Sequence, residues 1–467
     1  MKTAILFSKL LENSKGHAGG RKTRNRALDS QVLFNYRSSI RVSSAKLRAM
    51  DAFGLLISGV LLALYSWTFY NLPTLIAGLR RTVGKKRPAT VGQRSVASAI
   101  LPCFSIIVAA KNEERVIGRL LDRLKAIDYP KYLYEVIVVE DGSTDRTRQI
   151  CEQYAEEIPE LVRFYHSDDS NGKPAALNLA LTKCRGDIVG VLDADNFPNL
   201  DLLRIAAKYF QDSSLAAIQG MTLPINRDES MISKLSSYEE AAWFRIYMMG
   251  KEDLNLFIPL TGSCGFVKRH VIEKLGGWDE SSLAEDVELA ARLVNNGWRI
   301  RYAPDVQSLQ EYPASLKVLV KQRTRWFRGY METWVKYGRL MRTPSRIAID
   351  AEATLFGPYV LNLILLSYFV AFSGFFSFHP ASSIWFEALA SSAAGLTLSS
   401  LFICGIALIW HLRPRRFRNL MWIPAVYAFW FIQTIIAFQA LVLTVLRRSR
   451  AWVKTEKSGK VSLHTLA

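Results

Sequence analysis

The sequence predicts a doubly wound α/β domain set between α-helical membrane segments. Three observations predict it. Short apolar runs alternate with amphipathic stretches between residues 99 and 313, four uncharged apolar segments lie outside that region, and the positive charge sits beside those segments rather than within the domain. The chain has 467 residues and a formal net charge of +19, with half of its residues hydrophobic. That composition excludes a disordered chain, and the length exceeds one small domain.

Residues 1–50 carry eleven Lys and Arg against Glu12 and Asp29 and read as a basic arm without a signal-peptide layout. Residues 51–79 form the first expected membrane helix, uncharged from Ala52 to Leu79. A basic linker follows over 80–98, with Arg80, Arg81, Lys85, Lys86, Arg87 and Arg94. Three further spans are expected within 351–446, at about 355–378, 388–410 and 422–446, followed by a basic tail over 447–467. Trp67, Trp385, Trp410 and Trp422 stand near span ends, where amphipathic rings meet the interface. The arm contributes +9, the linker +6 and residues 411–460 another +9, which leaves −5 for the rest of the chain. A mildly acidic centre argues against nucleic acid as a partner, and the flanks fit membrane lipids. One span before the domain and three after it place both termini on the face opposite the domain. Both basic tails then break the positive-inside pattern that the linker and the 413–418 loop obey.

Within 99–313 the strands are expected at Cys103–Ala110, Tyr134–Val139, Leu161–His166 and Ile188–Leu192, as continuous apolar runs suited to a buried parallel sheet. Helices are expected at Val116–Ile127, about Thr144–Tyr154, and Ala175–Cys184. Ligands of such sheets bind beyond the carboxyl ends of the strands. Polar residues gather there: Lys111-Asn112-Glu113-Glu114, Glu140-Asp141 and Asp193-Ala194-Asp195. Asp193 and Asp195 are two positions apart at a strand end, so both carboxylates project to one side and call for a cation, with Mg²⁺ or Mn²⁺ favoured by hard oxygen ligands. Asp141 stands in a turn with Gly142 and Ser143, and Lys173 precedes a helix start where phosphate binds readily. Five scattered cysteines, with no zinc-ligand spacing, suggest neither a disulfide framework nor structural zinc. Residues 314–350 interleave Lys and Arg with Trp326, Phe327, Tyr330, Trp334 and Tyr337, as interface helices on a bilayer do.

The order of the motifs carries a resemblance. Ala109-Ala110-Lys111-Asn112-Glu113, Val139-Glu140-Asp141-Gly142-Ser143, Gly172-Lys173-Pro174-Ala175-Ala176-Leu177-Asn178 and Asp193-Ala194-Asp195 come first. Thr261 to Arg269, Gly276-Gly277-Trp278-Asp279, Ala284-Glu285-Asp286 and Gln322-Arg323-Thr324-Arg325-Trp326 follow. Together they resemble the membrane-embedded family 2 glycosyltransferases of the GT-A (Rossmann-like) fold, such as cellulose, chitin, hyaluronan and poly-N-acetylglucosamine synthases and ceramide glucosyltransferase. The resemblance implies a nucleotide-sugar donor, with UDP preferred. It assigns Ala109, Glu113, Asp141, Lys173, Asp193 and Arg325 to the nucleotide and donor, and Asp193 and Asp195 to the metal, with Asp195 the direct ligand. It makes Asp286 the catalytic base, and puts Gln322, Trp326 and Glu285 at the acceptor. Lys111 replaces a frequent Tyr and Glu140 a frequent Asp, and the Phe-x-Val-Thr-x-Lys gating loop of cellulose synthases is missing after residue 330. The implied reaction is a metal-dependent single displacement with inversion on the cytoplasmic face of the cell membrane. Its acceptor is a growing polysaccharide; the alternatives are one sugar added to a membrane lipid (polyprenyl phosphate, ceramide-like or diacylglycerol), or a scaffold without catalysis.

Overall fold

The computed structural model describes residues 54–82, 101–167, 171–338, 345–376, 421–448 and 455–460, with scattered positions between 387 and 405. The chain divides into two compact units, Met1–Val60 and Leu61–Ala467, and the second contains the whole sheet. The expected span at 388–410 and the basic arm lie outside the continuously described residues.

Helix α1 (Gly54–Thr82) precedes the domain. The domain then alternates as expected: β1 (Phe104–Ala110), α2 (Ile117–Lys125), β2 (Tyr134–Glu140), α3 (Thr147–Glu157), β3 (Val162–His166), α4 (Lys173–Leu181) and β4 (Ile188–Val191). A two-residue β5 (Phe197–Pro198), α5 (Leu202–Tyr209) and β6 (Leu215–Pro224) follow. Next come α6 (Met231–Ala242), α7 (Met248–Asp253), β7 (Gly265–Lys268), α8 (Arg269–Lys274), α9 (Glu285–Asn295) and β8 (Arg299–Gln310). The eight strands run in the order β3-β2-β1-β4-β7-β6-β8-β5. Strands β1, β2 and β4 are apolar on both faces because helices cover both, and buried cores fill each side.

The sheet is mixed, because β7 pairs antiparallel with both β4 and β6. That inversion has a use. The register sets Ala110 opposite Glu140 and Ile107 opposite Val191, so the carboxyl ends of β1, β2 and β4 share one edge. The entry to β7, residues 262–264, meets them there because Val191 faces Gly265. Strand β6 runs parallel to β8, so Gln310 at the end of β8 arrives at the same edge.

The QxxRW region forms α10 (Leu316–Tyr337), capped by the Ser315 hydroxyl accepting from the Val318 amide at 3.4 Å. One face of it is buried, with Arg323, Thr324, Arg328, Gly329, Met331 and Thr333 inside, while Leu316, Lys317, Lys321 and Val335 are exposed. Gly329 is the point of closest approach, since a Cβ there would lie 2.4 Å from the Ala284 Cβ. On its other side Trp334 packs on Phe356 and Tyr359, with ring centroids 5.2 and 5.3 Å away. These belong to α11 (Arg346–Phe376), and α12 (Ile423–Val445) completes the described helices. Helices α1, α11 and α12 are long and apolar enough to cross a bilayer. Asp350 anchors α11 to the domain: it takes Lys251 at 2.5 Å and the Phe257 amide at 3.0 Å, both buried, and the Tyr70 hydroxyl at 2.5 Å.

The chain after α12 returns to the domain, which differs from the expected tail on the opposite face. Lys457 lies 2.6 Å from Asp195, and the Ser458 amide donates to Glu311 at 2.9 Å.

Candidate active site

The carboxyl edge of the sheet opens into a cavity of ≈140 Å³. Every residue expected at the site lines it: Ala109, Glu113, Asp141, Lys173, Asp193, Asp195, Glu285, Asp286, Gln322, Arg325 and Trp326. Asp141, almost fully buried, accepts from the amides of Asn171 at 3.2 Å and Gly172 at 3.1 Å, which fixes the turn entering α4. The preceding Glu140 is structural. It is wholly buried, 2.6 Å from His166 Nδ1, and accepts from the Ser143 amide. Asn178 is structural too, joining α4 to the carbonyl of Trp278 at 2.9 Å and accepting from its amide at 2.8 Å.

Lys173, first residue of α4, spans the cleft from Asp193 Oδ1 at 2.7 Å to the Gly262 carbonyl at 2.9 Å, with Glu285 at 3.5 Å. Burial works against its ammonium, but Asp193, Glu285 and Asp286 raise its pKa, so it stays charged. The other Asp193 oxygen accepts from Gln310 Nε2 at 3.0 Å. Burial opposes the Asp193 charge as well, yet Lys173, Lys457 and Arg325 hold its pKa below the usual carboxylate range.

Asp195 is 1% exposed; its Oδ2 accepts from the Glu311 amide at 2.9 Å and from Lys457 at 2.6 Å, while Oδ1 is buried with no partner. An orphaned carboxylate oxygen in a buried cleft suits a hard cation. Asp195 thus fits a direct protein ligand, with Asp193 occupied by Lys173 and Gln310. No cluster of three or more Asp, Glu, His or Cys suited to a metal occurs among the described residues, so the remaining ligands would come from the diphosphate and water.

Asp286 lies in the first turn of α9, beneath α10. Burial and the neighbouring Glu285 push its carboxyl up to about 7, against the pull of Lys173, the Val287 amide and Arg325. Arg325 is aimed by the Leu283 carbonyl at 3.0 Å. Glu285, expected at the acceptor, turns to Lys173 on the donor side. Gln322 lines the same polar cavity.

A second cavity of ≈490 Å³ begins where the first ends. The two share Glu240, Thr261, Asp286, Arg323 and Trp326. Its walls are Trp67 and Leu75 of α1, Trp243, Leu361 and Ile364 of α11, and Trp430 of α12. The Arg323 guanidinium lies over the Trp326 ring, 4.2 Å from its centroid, and is held by Glu239 at 2.7 Å and Glu240 at 3.0 Å. Sequence reasoning missed Arg323, Gln310, Glu311 and Lys457. Arg323 was visible inside its motif, whereas the other three carry no motif of their own.

A mixed sheet with a carboxyl-edge cleft, paired aspartates and a buried carboxylate on the following helix defines a nucleotide-sugar-binding domain of GT-A type. Residues 102–329 match the model of the family described as "Glycosyltransferase like family 2", and this part of the chain is a family 2 glycosyltransferase domain. The chain is 32% identical over 240 residues to the probable glycosyltransferase YdaM of Bacillus subtilis, covering 51% of this chain and 57% of that one. It is 34% identical over 245 residues to a beta-monoglucosyldiacylglycerol synthase of a Synechocystis species, covering 52% and 50%. The match thus spans about half the length of these curated relatives. In fold it is similar to a mannosyltransferase of Pyrobaculum calidifontis, solved in complex with GDP-Man and Mn²⁺, at a TM-score of 0.57 and 23% identity over 84% of this chain and all of that one.

Proposed function

We propose that the protein is an inverting glycosyltransferase that moves one sugar from a nucleoside diphosphate donor to the hydroxyl of a membrane lipid of the diacylglycerol class. The observation that carries this reading is the junction of the two cavities at Asp286 and Trp326. A polar, lysine-lined cleft on one side of Asp286 suits a diphosphate. An apolar cavity walled by membrane-type helices on the other suits acyl chains, where a growing polysaccharide would need a hydrated passage. The relatives named above include an enzyme of that lipid class, which supports the same choice over the polysaccharide expected from sequence.

Asp286 takes the proton from the acceptor hydroxyl as its oxygen forms the new bond to the anomeric carbon. The bond from that carbon to the diphosphate oxygen breaks with its electron pair on the leaving group. Lys173 and Arg325 sit where they offset that growing charge. A divalent cation held by Asp195 would add to the same stabilisation. The other carboxylate shared by the two cavities, Glu240, is held by Arg323 at 3.0 Å, which agrees with a single displacement without a covalent nucleophile. The donor is supplied from the cytoplasm, so the catalytic domain faces that side.

The test is incorporation by the purified protein in lipid, given labelled UDP- and GDP-sugars, Mg²⁺ or Mn²⁺, and vesicles with or without diacylglycerol. Label that enters the organic phase only when diacylglycerol is present is the expected result. High-mass label that appears without added lipid acceptor would overturn the lipid reading.

A further inference from the structure

We propose that residues 455–460 are a built part of the donor site, with Lys457 binding the diphosphate of the nucleotide from the side opposite Lys173. The inference rests on the nucleotide-sugar reading above and adds a residue that lies outside the family 2 domain.

Lys457 is one of two lysines in a matched arrangement. Lys173 joins Asp193 to the Gly262 carbonyl, at 2.7 and 2.9 Å. Lys457 joins Asp195 to the Glu311 carbonyl, at 2.6 and 3.2 Å. Each aspartate of Asp193-Ala194-Asp195 thus has its own ammonium, and both ammoniums line the same cavity. The Lys457 side chain is 10% exposed. An ammonium has three N–H donors, and the described residues take two from Lys457, which leaves one for a ligand in the cleft. With Glu113, Asp141, Asp193, Asp195, Glu285 and Asp286 around it, the cleft needs fixed positive charge before it admits a diphosphate.

The seat for this segment is prepared by the domain. Glu311 is 2% exposed, and Arg119 holds its Oε1 at 3.2 Å. Its Oε2 accepts from the amides of Ser458 at 2.9 Å and Gly459 at 3.2 Å. The Ser458 hydroxyl donates to Glu229 at 3.2 Å. Gly459 has φ +63°, and a Cβ there would lie 2.7 Å from that of Arg115, so a larger residue would lift the segment away. A carboxylate fixed by a buried arginine and aimed at two successive backbone amides is a socket, and it delivers Lys457 to Asp195.

The test is calorimetric binding of UDP and of GDP, each with Mg²⁺, to the full-length protein in lipid nanodiscs. Lys457→Ala is expected to weaken the nucleotide that binds wild type by roughly ten- to a hundredfold, the range of one charge-assisted hydrogen bond. Lys457→Arg is expected to recover most of the affinity, and a chain ended after Lys454 to behave as Lys457→Ala. Equal or tighter binding by Lys457→Ala would overturn the proposal and make the segment a cover over the cleft. If wild type binds neither nucleotide, the donor-site reading falls and this inference with it.

Discussion

Asp286 sits against both cavities, and its raised carboxyl has consequences in rate and in stability. As a base it must be ionised, so kcat/KM should rise with pH through about 7 and level off above. Asp286→Asn should erase that limb and lower kcat by roughly 10²- to 10⁴-fold, read from pH-rate profiles. The stability effect has the opposite sense. A carboxyl whose folded pKa lies near 7 against about 3.9 unfolded stabilises the fold while protonated, and that contribution is lost as pH rises through the folded value. Thermal unfolding should therefore show Asp286→Asn more stable than wild type at pH 8, with the gap closing toward pH 4. Asp195→Asn should weaken Mn²⁺ binding followed by electron paramagnetic resonance, since Asp195 Oδ1 is a buried carboxylate oxygen without a hydrogen-bond partner. Most of these residues were legible in the sequence because each motif sits at a strand end or helix start. Lys457 was not, because its partner Asp195 lies 262 residues away and no local pattern encodes that meeting.

The helix that carries Gln322, Arg325 and Trp326 matters as a rigid body. Gly329 lets α10 lie directly on Ala284, one residue before the pair Glu285 and Asp286. Gly329→Val should push α10 off the start of α9, costing about 1–3 kcal/mol of stability and more in kcat than in KM, measured by denaturant unfolding and steady-state rates. The anchor of α11 should be costlier to break. Asp350→Ala strands the fully buried Lys251 and is expected to destabilise by about 3–5 kcal/mol in the same unfolding assay. At this scale the sequence was read well where periodicity is strong: β1, β2 and α2 end within two residues of expectation. For α10 the basic and aromatic residues suggested a bilayer surface, and the contacts of its buried face were not legible. Arg323 is held inward by acidic partners contributed by α6, Glu239 and Glu240, which spacing along α10 cannot disclose.

Across the whole molecule, the position of residues 455–460 bears on topology. They touch the donor cleft, a contact that agrees with an even number of bilayer crossings after the domain. A cysteine-free background carrying Lys460→Cys should react with a membrane-impermeant thiol reagent from the same face as Tyr132→Cys, an exposed site on the domain. Labelling from opposite faces would contradict the contact. The arrangement also brings Lys457 and Lys460, two of the basic residues after α12, to the domain. The net charge of +19 predicted membrane flanks, and its partition was legible without a structure. The contact of residues 455–460 with the domain was not, because charge counts do not register a lysine drawn back into a buried site.

Lys457 also sets an order of events in synthesis. The cleft's first wall, at Ala109, leaves the ribosome early, and its last cation emerges only after α12 has been made and inserted. A chain interrupted before residue 457 would carry a folded domain whose donor pocket lacks one wall. Donor affinity would then report that the chain has been carried through its helical region, being lower in any product that stops short of residue 457.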